Sequence, residues 1–210
     1  MQKRKSPAVR PRKTPKQERS AQLVADILEA AIRVLERDGA VAFTTTRVAA
    51  QAGISVGSLY QYFPNKESIL FRLQVDEWGA TAALLEGIFG DERLAPAERL
   101  RAALHAFFRT ECDEAPLRRA LGDAAPFYRD VPQAREHRER GQRVIVALIG
   151  RAAPKLSAKR RAFAAELYLA TLSAMGKHVS ETVQTRAEVD RWAAATADMF
   201  LAYLQPRSRN

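Results

Sequence analysis

An all-α fold is predicted by three features of this 210-residue sequence. Ala, Leu, Arg and Glu dominate, and these residues have favourable helix propensity. No stretch shows the strict apolar–polar alternation of a half-buried strand. Prolines and glycines fall between periodic segments of helical length, where they act as breakers. At 47% hydrophobic the chain has enough apolar material for a packed core, and its length suits one domain or two small ones.

Taken in order, residues 1–15 are Pro- and Lys/Arg-rich and read as a basic, flexible arm. From about Gln17 the pattern turns helical, with Leu23, Ile27, Ala30 and Val34 on one stripe and Gly39 as the stop. "TTTRVAAQAG" predicts a short second helix, opened by a threonine N-cap and closed by Gly53. "SVGSLYQYF" predicts a third, with Ser55 as N-cap. Pro64 breaks the chain, Asn65 caps, and "KESILFRLQVDEW" opens a fourth. Longer helices follow near 95–113, 115–122, 131–152, 157–182 and 188–204, separated by Pro96, Pro116, Gly122, Pro126, Pro132 and Pro154, giving about nine in all. The last two are rich in small and apolar residues.

The segment Gly53–Lys66, "GISVGSLYQYFPNK", differs in composition from its helical flanks. Gly53 permits a sharp reversal because it accepts positive φ, and Ala49 allows two helices to approach closely. Val48, Ala52, Ile54, Leu59 and Phe63 can share a small core, which is a helix-turn-helix arrangement. Ser55, Val56, Gly57, Ser58, Tyr60, Gln61 and Tyr62 are then expected on the outer face. Gln61 can pair a donor and an acceptor with a base edge, Val56 can meet a thymine methyl, and Gly57 lets the backbone come close. Tyr60 and Tyr62 can reach phosphates, as can the hydroxyls of Thr44, Thr45 and Thr46 at the second helix start and the cation of Lys66.

The net charge is +10, and eight Lys/Arg against one Glu place +7 of it in residues 1–20. A basic tail on a nearly balanced body fits either a polyanion partner or a solvated tail. The one cysteine, Cys112, forms no intrachain disulfide, which fits a reducing cytosol. Apolar runs such as "VIVALIG" are far shorter than a membrane span, and no apolar stretch follows the basic N-terminus as a secretory signal requires.

"FTTTRVAAQAGISVGSLYQYFPNKESIL" resembles the DNA-binding domain of TetR-type transcriptional regulators, over about Gln17 to Asp76. After the flexible arm at 1–15, which is longer than the motif requires, the resemblance implies a helix-turn-helix DNA-binding domain at 16–78 and a ligand-binding and dimerisation domain at 79–205. It implies a homodimeric repressor that grips a near-palindromic double-stranded operator and is released by a small-molecule effector, with the last two helices as dimer interface. By matched position, Thr44, Thr45, Thr46, Ser55, Val56, Gly57, Ser58, Tyr60, Gln61, Tyr62 and Lys66 inherit DNA-contact roles. A dimer would set two recognition helices roughly 34–36 Å apart. Trp78, Phe107, Phe108, Phe127 and Tyr128 are the candidates to line an effector pocket, for an apolar or aromatic ligand. The fourth helix, joining both halves, is the natural lever between ligand and operator, and the arm is expected on the minor groove or backbone.

An enzyme is not expected, nor a cofactor or metal. His105, His137 and His178 are widely spread and form no His-Glu-x-x-His pattern. Acidic neighbours Glu111, Asp113 and Glu114 oppose thiolate formation at Cys112, and a cluster of Cys112, His105 and Glu111 is a chance grouping rather than a metal site. A sequence-tolerant, nucleoid-type DNA binder fits the net charge, but the recognition helix itself, "SVGSLYQYF", holds no Lys or Arg, which suits base reading better than coating.

Overall fold

The structure, a computed structural model, describes residues 18–128, 130–183 and 185–205; the arm expected at 1–15 lies outside them. Among the described residues there are nine α-helices and one 3-10 turn: α1 (Glu18–Ala42), α2 (Thr45–Gln51), α3 (Val56–Tyr62), α4 (Lys66–Gly90), α5 (Pro96–Asp113), α6 (Ala115–Ala124), the 3-10 turn Ala125–Phe127, α7 (Pro132–Ala152), α8 (Ala158–Thr182) and α9 (Arg186–Leu204). No strand occurs among the described residues. None of their helices is long and apolar enough to cross a membrane.

The predicted punctuation operates as chemistry. α1 is broken at Gly39, whose φ of 72° is left-handed. Thr44 caps α2 by accepting from Arg47 N at 3.3 Å, and Ser55 caps α3 by accepting from Ser58 N at 3.0 Å. Asn65 Oδ1 accepts from Ser68 N at 2.8 Å at the head of α4. Gly53, with φ 67°, ends α2, and the amides of Gly53 and Ile54 close back on Ala50 O and Ala49 O at 3.2 and 3.0 Å. That pair of bonds is a Schellman closure, which only a left-handed residue completes at low cost.

The chain forms two compact units. The first comprises Met1–Gly79 with Pro116–Arg135; the second comprises Ala80–Ala115 with Glu136–Asn210. The first unit thus holds Pro116–Arg135 as well as the segment that ends at Gly79. The physical reason is visible in its packing. Leu121, Ala124, Tyr128, Val131 and Ala134 are buried in one core with Ile27, Leu35, Leu59, Phe63 and Phe71. Arg118 donates to Glu77 at 3.0 Å, with side chains 11% and 9% exposed. The Tyr128 hydroxyl faces Leu121 O at 2.8 Å and Gln74 Oε1 at 3.0 Å, and Gln74 Nε2 donates to Glu77 at 2.9 Å. Burial pushes the Tyr128 phenol well above the ordinary tyrosine range, so this network is built on the protonated hydroxyl.

In the second unit a core of Leu100, Leu104, Phe107, Phe108, Ile149, Ala165, Tyr168, Ala197 and Phe200 runs between α5, α7, α8 and α9. The buried Tyr168 hydroxyl donates to Leu100 O at 2.8 Å. Gly176 lets α8 approach α5 so closely that a Cβ there would meet the Phe107 ring at 2.9 Å. α5 and α9 run antiparallel and are joined by Arg101 with Asp198, Arg109 with Asp190 and Asp113 with Arg186. Buried Arg99 donates to Phe89 O at 3.0 Å and Leu94 O at 2.9 Å, tying the end of α4 to the start of α5.

Candidate nucleic-acid interface

Within the first unit, α2 and α3 meet through Val48, Ala49, Leu59 and Phe63, all buried. This core turns Ser55 and, on α3, Val56, Gly57, Ser58, Tyr60 and Gln61 outward. Ser55, Gly57, Tyr60 and Gln61 are exposed, and Val56 and Ser58 are half-buried. Thr44 and Thr46 are exposed beside them at the head of α2, with Thr45 half-buried. Ser55 Oγ and Ser58 Oγ lie 2.9 Å apart, so the capping serine is itself partnered. The Thr45 and Tyr60 hydroxyls lie 3.2 Å apart, which ties an exposed tyrosine on α3 to the head of α2. The surface these residues share is polar and uncharged, with amide, hydroxyl and aromatic groups able to face base edges and phosphates.

The loop leading to Thr44 is braced from behind. Asp38 accepts from Arg37 at 2.8 Å and from Arg47 at 3.1 Å, and Arg47 also donates to Ala42 O at 3.2 Å. The Arg37 guanidinium holds the Asp38 carboxyl below the usual carboxylate range, with burial opposing it. Arg47 therefore acts in the bracing, although it neighbours the three threonines in sequence.

One expectation is corrected. Tyr62 is 6% exposed, not on the outer face, and its hydroxyl points to Ser20 Oγ on α1 at 3.4 Å. Helical spacing explains this: Leu59, Tyr62 and Phe63 fall at i, i+3 and i+4 on the packed side. Lys66 is half-buried at the first position of α4, and its Nζ stands 5.1 Å from the centroid of the Phe127 ring.

Of the five residues expected round an effector pocket, Trp78, Phe127 and Tyr128 belong to the first unit and Phe107 and Phe108 to the second. Tyr128 and Trp78 both pack on Phe71 in the first unit, at ring distances of 5.8 and 6.4 Å. Phe127 is 38% exposed on the same unit and faces Lys66. Phe107 and Phe108 are buried in the core of the second unit. Cys112 is half-buried, and its thiol is pushed up by burial and by Asp113 and Glu111, which disfavours a nucleophilic thiolate. Among the described residues no group of three or more His, Cys, Asp and Glu side chains could hold a metal ion.

Fold and site together define a helix-turn-helix regulator with an appended helical domain. A family model described as "Bacterial regulatory proteins, tetR family" matches residues 27–73, and one described as "Tetracyclin repressor-like, C-terminal domain" matches 95–206. The chain belongs to the TetR family of bacterial transcriptional regulators. No curated protein matches it. Solved structures share its fold. A putative TetR-family transcriptional regulator from Mesorhizobium loti superposes with a TM-score of 0.70 at 21% identity, covering 89% of this chain and 98% of that one. The fatty acid degradation regulator FadR from Bacillus halodurans gives 0.69 at 16% identity, covering 90% and 97%. The ketosteroid transcriptional regulator KstR2 of Mycobacterium tuberculosis gives 0.64 at 18%, covering 86% and 93%.

Proposed function

We propose that this protein is a cytoplasmic, sequence-specific repressor that sits on a near-palindromic operator as a homodimer and is released by a small-molecule inducer. The observation that carries the reading is the outer face of α3. It offers Gln61, Tyr60, Ser55 and the bare backbone of Gly57, and no Lys or Arg lies between Ser55 and Phe63. Such a face is suited to base edges in a major groove, whereas a sequence-tolerant coat needs cations along it. Thr44, Thr45, Thr46, Ser58 and Lys66 surround it as backbone contacts that set register, and Val56 is placed for a thymine methyl. The arm at 1–15 adds phosphate or minor-groove contacts through its cations. The protein acts by binding and not by catalysis.

Dimerisation through α8 and α9 is supported by apolar side chains there that the second unit leaves uncovered: Phe163 at 56% exposure, Met199 at 60%, and Trp192. The effector is apolar or aromatic and enters among α5, α7 and α8, with Phe107 and Phe108 as the ring contacts. Two proteins that share this fold, a fatty acid degradation regulator and a ketosteroid transcriptional regulator, favour that ligand chemistry. The ligand acts by preferring the conformation that holds the recognition helices at the wrong spacing, so ligand and operator must weaken each other equally.

Selection of bound duplexes from random DNA at near-physiological salt tests this reading. A near-palindrome with two half-sites is expected. Recovery without a consensus, with affinity fading smoothly as salt rises, would replace it with a nucleoid-type binder.

A further inference from the structure

Lys66 opens α4 with its ammonium 5.1 Å from the centroid of the Phe127 ring, inside the roughly 6 Å range of a cation–π contact. The two residues meet inside one compact unit, although they lie far apart in sequence. The ring is the fixed member of the pair. Phe127 closes the 3-10 turn, and the next residue, Tyr128, is buried with its hydroxyl on Leu121 O and Gln74 Oε1 and its ring against Phe71. The preceding helix is held by Arg118 on Glu77. The ammonium sits on a flexible four-carbon stem and is the member that needs holding.

We propose that Phe127 is a positioning residue for operator binding: its ring holds the Lys66 ammonium at the first turn of α4, ready for a backbone phosphate. This rests on the reading of Lys66 as a phosphate contact. The positive end of the α4 dipole favours an anion at that place. A ring on one side of an ammonium leaves N–H donors on the other for a phosphate oxygen, and a stem ordered before binding costs less to order upon it. The 3-10 turn thereby forms a supporting layer of the DNA site, from a stretch far outside the helix-turn-helix motif.

The test uses the full-length protein and the duplex recovered by selection, with affinity followed over a salt series. F127L should weaken binding about two- to five-fold, the span expected for an exposed cation–π contact, while F127Y, which keeps an aromatic face, should match the parent protein. K66Q should lower affinity and, with one Lys66 in each subunit of the dimer, reduce the salt slope by about 1.8. F127L should add nothing in the K66Q background. A ring this exposed can be shortened without emptying the core, and equal melting temperatures check that. If F127L costs the same in both backgrounds, or strengthens binding, the positioning role falls while the Lys66 contact stands. If K66Q changes neither affinity nor slope, the reading of Lys66 falls and this proposal with it.

Discussion

Replacing Glu77 by leucine removes a buried carboxylate that faces the Arg118 guanidinium. Arg118 reaches Glu77 Oε1 at 3.0 Å with both side chains about nine-tenths buried, and the other carboxylate oxygen accepts from Gln74. Removing one member of a buried pair costs about 3–5 kcal/mol, because the remaining charge is left without compensation. The edge of the guanidinium still touches water and Arg118 has a further interaction, so the lower end, about 3 kcal/mol, is expected here. For a chain of this length that corresponds to a fall in Tm of roughly 6–12 °C. Arg118→Leu should cost about as much, since it leaves the carboxylate buried. The double variant E77L/R118L should recover most of the loss, because an apolar pair of similar volume needs no counter-charge. Thermal unfolding by circular dichroism at neutral pH reads all four proteins. Single variants each costing below about 1 kcal/mol, the worth of an exposed pair, would refute the reasoning. So would a double variant as unstable as the sum of the singles.

Four further outcomes are expected. Gly87→Ala, with open space around its Cβ, should stabilise by about 1 kcal/mol through helix propensity, whereas Gly176→Ala, whose Cβ would meet Phe107 at 2.9 Å and Glu111 at 3.0 Å, should be less stable than Gly87→Ala by about 1–3 kcal/mol in urea unfolding. Tyr60→Phe should weaken operator binding by roughly two- to ten-fold through loss of an exposed hydroxyl, and Tyr62→Phe should leave it unchanged because that hydroxyl faces Ser20. Asp91 is held down to about 2 by hydrogen bonds from the Arg93 side chain and backbone, below its ordinary value of 3.8. A lowered carboxylate stabilises the fold above its unfolded pKa and loses that contribution as pH falls through the folded value, so D91N should flatten the stability profile between about pH 4 and 2. Deleting residues 2–13 should weaken operator binding and flatten its salt dependence; an unchanged slope would remove the arm from the mechanism.

Helix order and ends were legible because they are written locally. Thr44, Ser55 and Asn65 accept their capping amides, Gly39 and Gly53 take positive φ, and the five helices expected after residue 95 begin and end within two residues of the observed bounds. The outer face of α3 was legible for the same reason, apart from Tyr62. There a hydroxyl suggested exposure, but the apolar period with Leu59 and Phe63 was the stronger signal. Pairings between distant residues were not legible. Nothing near Tyr128 in sequence announces Gln74, and nothing near Phe127 announces Lys66. An aromatic beside a proline reads the same whether it fills a core, lines a pocket or faces a cation.

The first compact unit is discontinuous, and this bears on how the protein can be taken apart. The family models divide the chain end to end, but the structural unit holding the helix-turn-helix also owns Pro116–Arg135. A fragment ending at Gly79 would strand Gln74 and Glu77 without Tyr128 and Arg118, and would bare Phe71 and Trp78 to water. A chimera that grafts a foreign sensor after residue 79 inherits the same defect. The second unit is two segments of chain with a piece of the helix-turn-helix unit lying between them in sequence, and a working hybrid must carry that piece along with the helix-turn-helix.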